Sequence, residues 1–185
     1  VEITELLQEI KAPTTIVHVV AVIFGMGSAL VSDVLFSFFS KDKKLNKTEI
    51  YTLTILRNII SYSLVFIIFS GIIIFLSDIA KYTNSAKFLA KMSIMVVLLL
   101  NGHVLNKYIW PHLLNKNFFT LKKERNIRRL AFACGAVSVI SWLLVCTLGI
   151  LDSLDMSYSL IILNYILILT AGIIISLIVE RKEFN

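Results

Sequence analysis

Residues 14–39 read TTIVHVVAVIFGMGSALVSDVLFSFF, with Asp33 the only acid and no lysine or arginine. A bilayer core of about 30 Å is crossed by about 20 helical residues, so this stretch is long enough to span one. Its apolar residues do not alternate with polar ones as those of a half-buried strand would. Only helices and closed barrels satisfy their own backbone groups in lipid, so the stretch reads as a transmembrane helix.

Four further stretches repeat the pattern, at residues 50–76, 88–110, 130–151 and 157–179. The composition agrees. Of the 185 residues, 57% are apolar and 16% charged, where a soluble domain carries about 25% charge. Mean hydropathy is +0.85. The prediction is an all-α, polytopic transmembrane bundle of five helices, a single integral membrane domain over residues 1–185.

The net charge of +6 is unevenly distributed. Lys41, Lys43, Lys44 and Lys47 lie between the first and second runs. Lys116, Lys122, Lys123, Arg125, Arg128 and Arg129 lie between the third and fourth, and Arg181 and Lys182 follow the fifth. The connections on the other side hold Lys81 and Lys87, with Lys11 in the N-terminal tail; the turn 152–156 holds no base. Basic residues mark the cytoplasmic side, so the N-terminus is expected outside and the C-terminus in the cytoplasm. The expected location is a bacterial-type cytoplasmic (inner) membrane. The basic loops read as topology signals against anionic lipid, not as a nucleic-acid site. The first run exceeds a secretory signal's apolar core of about 7–15 residues and reads as a retained helix. Cys134 and Cys146 are separated by about 18 Å along one helix, too far to bridge each other.

Ile3, Leu6, Leu7 and Ile10 fall on one helical face. That segment can lie flat on the interface or extend the first helix, and Pro13 suits the first turn of that helix. Gly25 and Ala29, and Ala131 and Gly135, are small residues four apart that let helices approach closely. Tyr51, Tyr82, Tyr108, Trp110 and Tyr158 fall near run ends, as an interfacial belt does. The sequon at Asn46 lies on the expected cytoplasmic side and is discounted.

Ionisable groups within a span cost about 2.5–3.5 kcal/mol on insertion scales for Asp or Arg, so they are the best functional pointers. Asp33, Arg57 and His103 each lie seven residues from the basic-side end of a run, roughly 10 Å in. A hairpin of the first two helices is expected to pair Asp33 with Arg57. Asn58, Asn101, Asn106 and His103 complete a candidate polar cluster. It is either a helix-locking salt bridge or a half-channel or proton relay. His18, Lys91 and Asn164 lie nearer the other face. Neutral imidazole is a common ligand for metals and haem iron. His103 lies about 10–15 Å deeper than His18, so the two make a poor axial pair. His112 follows Pro111 at the boundary and reads as interfacial.

Several of these positions fall in an order that resembles a group of small bacterial inner-membrane proteins. They are His18 followed by Gly25 and Gly27, Arg57, Ser70-Gly71, Lys91, Asn106 and Pro111. The pattern is similar to the copper-resistance D family and, more distantly, to HemJ-type protoporphyrinogen oxidases, over about residues 13–113. The resemblance implies haem b or copper handling, with His18 and Lys91 as cofactor-binding positions. The four methionines, Met26, Met92, Met95 and Met156, form no run of the kind soft copper prefers.

Three functions stand. The first is a haem- or metal-associated membrane redox protein. The second is a small proton-coupled transporter or channel using Asp33, Arg57 and His103. The third is a non-catalytic subunit packing as a homo-oligomer or on a larger membrane complex. No nucleophile–base pair or phosphate-cradling glycine loop is present in the sequence.

Overall fold

The computed structural model describes residues 2–114, 118–119, 124–151 and 155–184, and every regular element among them is helical. Lys116, Lys122 and Lys123 of the basic loop lie outside the described residues, as does Asp152. The helices are α1 (Glu2–Glu9), α2 (Lys11–Phe39), α3 (Lys47–Ser77), α4 (Ile79–Thr83), α5 (Ala86–Val104), α6 (Trp110–Leu113), α7 (Arg125–Ile150) and α8 (Tyr158–Phe184). A π-helical stretch, Leu105–Ile109, joins α5 to α6, so Ala86–Leu113 is one rod. Five rods are long and apolar enough to cross a membrane: α2, α3, the α5–α6 rod, α7 and α8. Only 11% to 33% of their most apolar windows is buried within the bundle. The remainder is a sleeve of exposed Val, Ile, Leu and Phe. Water penalises such a surface and lipid accepts it, as in a multi-pass membrane protein.

The rods outrun the apolar stretches at most ends, because polar residues there are helical too. Asn46 caps α3: its Oδ1 accepts from Glu49 N–H at 2.9 Å, and Glu49 Oε2 accepts from Asn46 N–H at 2.8 Å. This reciprocal box satisfies two orphan donors and starts α3 three residues before the apolar run. The third rod continues past residue 110, through Pro111. Proline has no N–H and crowds the carbonyl four residues back. Just before it, Trp110 N–H reaches back five residues to Leu105 O, and the π-helical stretch absorbs the misfit. At the N-terminus Ile10 keeps helical φ and ψ, and Thr14 N–H bonds Ile10 O at 3.0 Å. The backbone of α1 therefore extends α2. Gln8 Nε2 donates to Ser77 O at the end of α3.

Helix α2 packs along α3, and α7 packs on α2, α5 and α8. The most buried of the spans, α7 is the central one. Trp142 on α7, 2% exposed, sits with Ala21, Ala29, Ile67 and Leu98 in mid-bundle. It reaches Gly25 so closely that an added Cβ there would stand 2.9 Å from Trp142 Cη2 and 3.1 Å from Ser63 Cβ. The small pair Gly25/Ala29 is thus a packing face, as its spacing predicts. Near the N-terminal end, Ala90, Ile94, Leu148, Ile161 and Tyr165 form a second cluster, tied by Ser141 and Tyr165 hydroxyls at 2.8 Å.

The opposite end carries the basic loops. There Phe119 stacks on Phe184 with centroids 5.6 Å apart, and Phe36 packs against Phe119 and Phe132. Arg128 is buried in this cluster. Its Nε donates to Glu180 Oε1 at 2.8 Å, a second guanidinium nitrogen donates to Phe119 O at 3.2 Å, and its plane lies 4.7 Å from the Phe184 centroid. Arg129 Nε stands 3.5 Å from Glu180 Oε2. The expectation for Arg128 and Arg129 as loop charges is therefore corrected. They belong to the first turns of α7, and Glu180, just beyond the fifth run, joins them to α8. His112, read as interfacial, meets the buried Glu124 at 2.7 Å.

Candidate functional site

Two cavities in the basic half of the bundle share one wall. The first, about 140 Å³, lies between α2, α3, the α5–α6 rod and α7. Its polar lining comes from Ser32, Asp33, Arg57, Ser61, Asn106 and Ser138. Leu105, Ile109 and Trp110 of the π-helical stretch and its exit also line it. The second, about 300 Å³, lies between α2, α7 and α8 and is partly open at the bundle surface. It is lined by Phe36, Phe132, Val139, Ile140 and Ile175 with Ser37, Ser176 and Asp33 among them. Ser176 Oγ is committed to Phe132 O at 2.6 Å.

Asp33 belongs to both cavities. Its Oδ2 is sealed from solvent and has no hydrogen-bond partner. Its Oδ1 lies 3.3 Å from where a Cβ on Gly135 would stand, so the missing side chain on α7 makes room for the carboxyl group. The pair Ala131/Gly135, predicted as a packing face, is thus also the seat of Asp33. A buried polar atom without a partner is costly, so its presence in a folded protein calls for a physical reason.

The expected Asp33–Arg57 ion pair is not formed. Both residues line the first cavity, but the Arg57 guanidinium lies over the Trp110 ring, 4.5 Å from its centroid. Its terminal nitrogen is 3.4 Å from Asn58 Oδ1. A cation on an indole face gains about 0.5–1 kcal/mol at exposed sites and about 2 or more when desolvated, which holds Arg57 without a carboxylate. Of the predicted cluster, Asp33, Arg57 and Asn106 come together, and Asn58 touches Arg57. Asn101 instead donates to Cys134 O at 3.0 Å and locks α5 to α7. His103 is exposed on the outer surface and lines neither cavity. Sequence reading missed Trp110, Ser138 and the π-helical stretch. By sequence Trp110 reads as part of the interfacial belt, and Pro111 is the only local signal of the irregular helix.

His18 lies 15 residues before Asp33, about 22 Å along α2. Its Nδ1 meets Ser70 Oγ at 2.9 Å, and its Cε1 is 3.5 Å from where a Gly71 Cβ would stand. Ser70 Oγ also donates to Phe66 O at 2.5 Å. A hydroxyl has one proton. With it given to Phe66 O, Ser70 accepts from His18 Nδ1–H. Lys91 is half-buried within electrostatic reach of this ring. Among the described residues no three His, Cys, Asp or Glu side chains gather as a metal site. No protein-family model, no curated protein and no solved structure matches this chain.

Proposed function

We propose that the protein is a small proton-coupled carrier or channel of a bacterial-type cytoplasmic membrane, with Asp33 as its protonation site. The observation that carries this reading is the placement of one carboxyl group, unpartnered at Oδ2, in the wall common to two cavities. A carboxylic residue that lines two spaces can take a proton from one and release it to the other. Arg57 lies on Trp110, so it sets the local potential without quenching the carboxylate. The π-helical stretch adds support, since such segments are frequent at functional sites. The lysine- and arginine-rich loops support a cytoplasmic Asp33 end and an outside N-terminus, by the positive-inside rule.

The test is proton flux into proteoliposomes under an imposed pH gradient and a clamped potential. Wild-type protein is expected to dissipate the gradient, and Asp33→Asn to reduce the rate about tenfold or more. Equal rates in the two proteins overturn the reading.

A second reading rests on the His18 tautomer. An imidazole held through Nδ1, with Nε2 left as the ligating nitrogen, is the arrangement metal-ligating histidines use, and it suits a single axial bond to haem iron. His18 would hold the group, Ser70 would fix its ring and Lys91 would supply a cation beside it. Haem would add one-electron chemistry. Copper fits less well, because the described residues gather too few ligands. An absorption spectrum of gently purified protein tests this: a Soret band lost in His18→Ala supports it, and no band with no bound metal removes it.

A further inference from the structure

The larger cavity differs chemically from the smaller one. Its walls are the rings of Phe36 and Phe132 and the aliphatic chains of Val139, Ile140 and Ile175, with Asp33 as its only ionisable group. It is partly open at the surface of the bundle between helices whose outward faces are apolar. Ile175, at its edge, is 62% exposed. A ligand reaching this space comes from the apolar surroundings of the helices. An inorganic cation has no route through them, and a neutral apolar molecule gains nothing from a carboxylate. The lining complements a molecule with a cationic head for Asp33 and an apolar or aromatic body for the phenylalanines, whose ring faces also attract cations. Its volume of about 300 Å³ suits a small organic ligand.

We propose that this cavity binds lipophilic ammonium cations and that binding displaces the Asp33 proton. The inference rests on Asp33 being the protonation site proposed above, and names the second species that competes for it. The balance is simple. Protonated Asp33 loses H⁺ to water in the smaller cavity, and the carboxylate left behind pairs with the cation arriving in the larger one. The carboxylate pairs with one cation at a time, so a proton gradient can drive an ammonium ion the other way.

The probe is benzyltrimethylammonium, which carries no titratable proton, so any proton released comes from the protein. Titrated into the full-length protein in nanodiscs and weak buffer, it is expected to bind saturably and to release protons in proportion. Asp33→Asn is expected to abolish proton release and weaken binding about tenfold or more. Ala136→Phe, at a position that lines the larger cavity, is expected to abolish both binding and the proton release that the probe causes. Ile175→Trp at the exposed edge is a second blocking variant with little consequence for folding.

Flux-competent wild-type protein that shows no saturable binding overturns the inference and leaves the proton reading standing. Binding that survives Asp33→Asn at full strength does not use the carboxylate, and also overturns it. Protein that neither binds the probe nor moves protons takes both readings down together.

Discussion

Arg57 rests on Trp110, 4.5 Å from the ring centroid, and not on the carboxylate of Asp33, although both line one cavity. Breaking a buried ion pair by removing one partner costs about 3–5 kcal/mol, and the sequence-based expectation of a pair predicts that loss for Asp33→Asn. The structure reverses the expectation. Asn puts a neutral amide where a carboxyl oxygen has no partner, so Asp33→Asn is expected to keep or raise the melting temperature in detergent. A fall of several degrees in that variant would mean that Asp33 has a charged partner.

The stabilising ion pair is elsewhere. Glu180, 2% exposed, accepts from Arg128 and stands beside Arg129. Glu180→Ala strands the buried Arg128 guanidinium and is expected to cost about 3–5 kcal/mol, read as a lowered unfolding midpoint. The double variant Arg128→Met/Glu180→Leu removes both charges of the buried pair and is expected to recover most of that loss. Equal melting of Glu180→Ala and wild type would remove this clamp from the account.

Gly25 and Gly27 make a matched pair. A Cβ at Gly25 meets Trp142 at 2.9 Å, while one at Gly27 meets nothing within 4 Å. Overpacking a close-packed site costs about 1–3 kcal/mol, so Gly25→Ala is expected to destabilise by that amount and Gly27→Ala not at all. Adding Trp142→Phe to Gly25→Ala is expected to restore part of the loss. Thermal melts of the four proteins decide it.

Asn46 tests the start of α3. Asn46→Ala removes the acceptor for Glu49 N–H and is expected to cost about 0.5–2 kcal/mol, as loss of an N-cap usually does. Asn46→Asp keeps the oxygen and is expected to be close to neutral. Hydrogen exchange of the Glu49 amide reports the cap directly.

The sequence made the five spans legible because lipid demands long, uninterrupted apolar helices, and no other feature of the chain competes with that signal. Helical rise converts residue counts into depth and puts Asp33, Arg57 and His103 at one level; of these the structure brings Asp33 and Arg57 to one cavity, with Asn106 in place of His103. Rotation about the helix axis was not legible. Depth alone could not tell that His103 points outward, that Asn101 turns to the Cys134 carbonyl, or that Arg57 finds an indole before a carboxylate. Those outcomes depend on which helix lies next to which, and no local pattern records that. Glu180 was missed for a simpler reason: an acid one residue beyond an apolar run reads as solvated, and only the tertiary fold brings Arg128 to it. The capping box is legible in the residues themselves, since Asn46 is followed three residues later by Glu49.

The most direct test is infrared difference spectroscopy of the protein in lipid across a pH step, comparing wild type with Asp33→Asn and Asp33→Glu. Movement of a proton on and off Asp33 predicts a protonated-carboxyl C=O band that disappears as the pH rises. That band is expected to be absent in Asp33→Asn and to return at a shifted frequency in Asp33→Glu. An identical carboxyl difference band in wild type and Asp33→Asn would contradict the claim that this residue exchanges the proton.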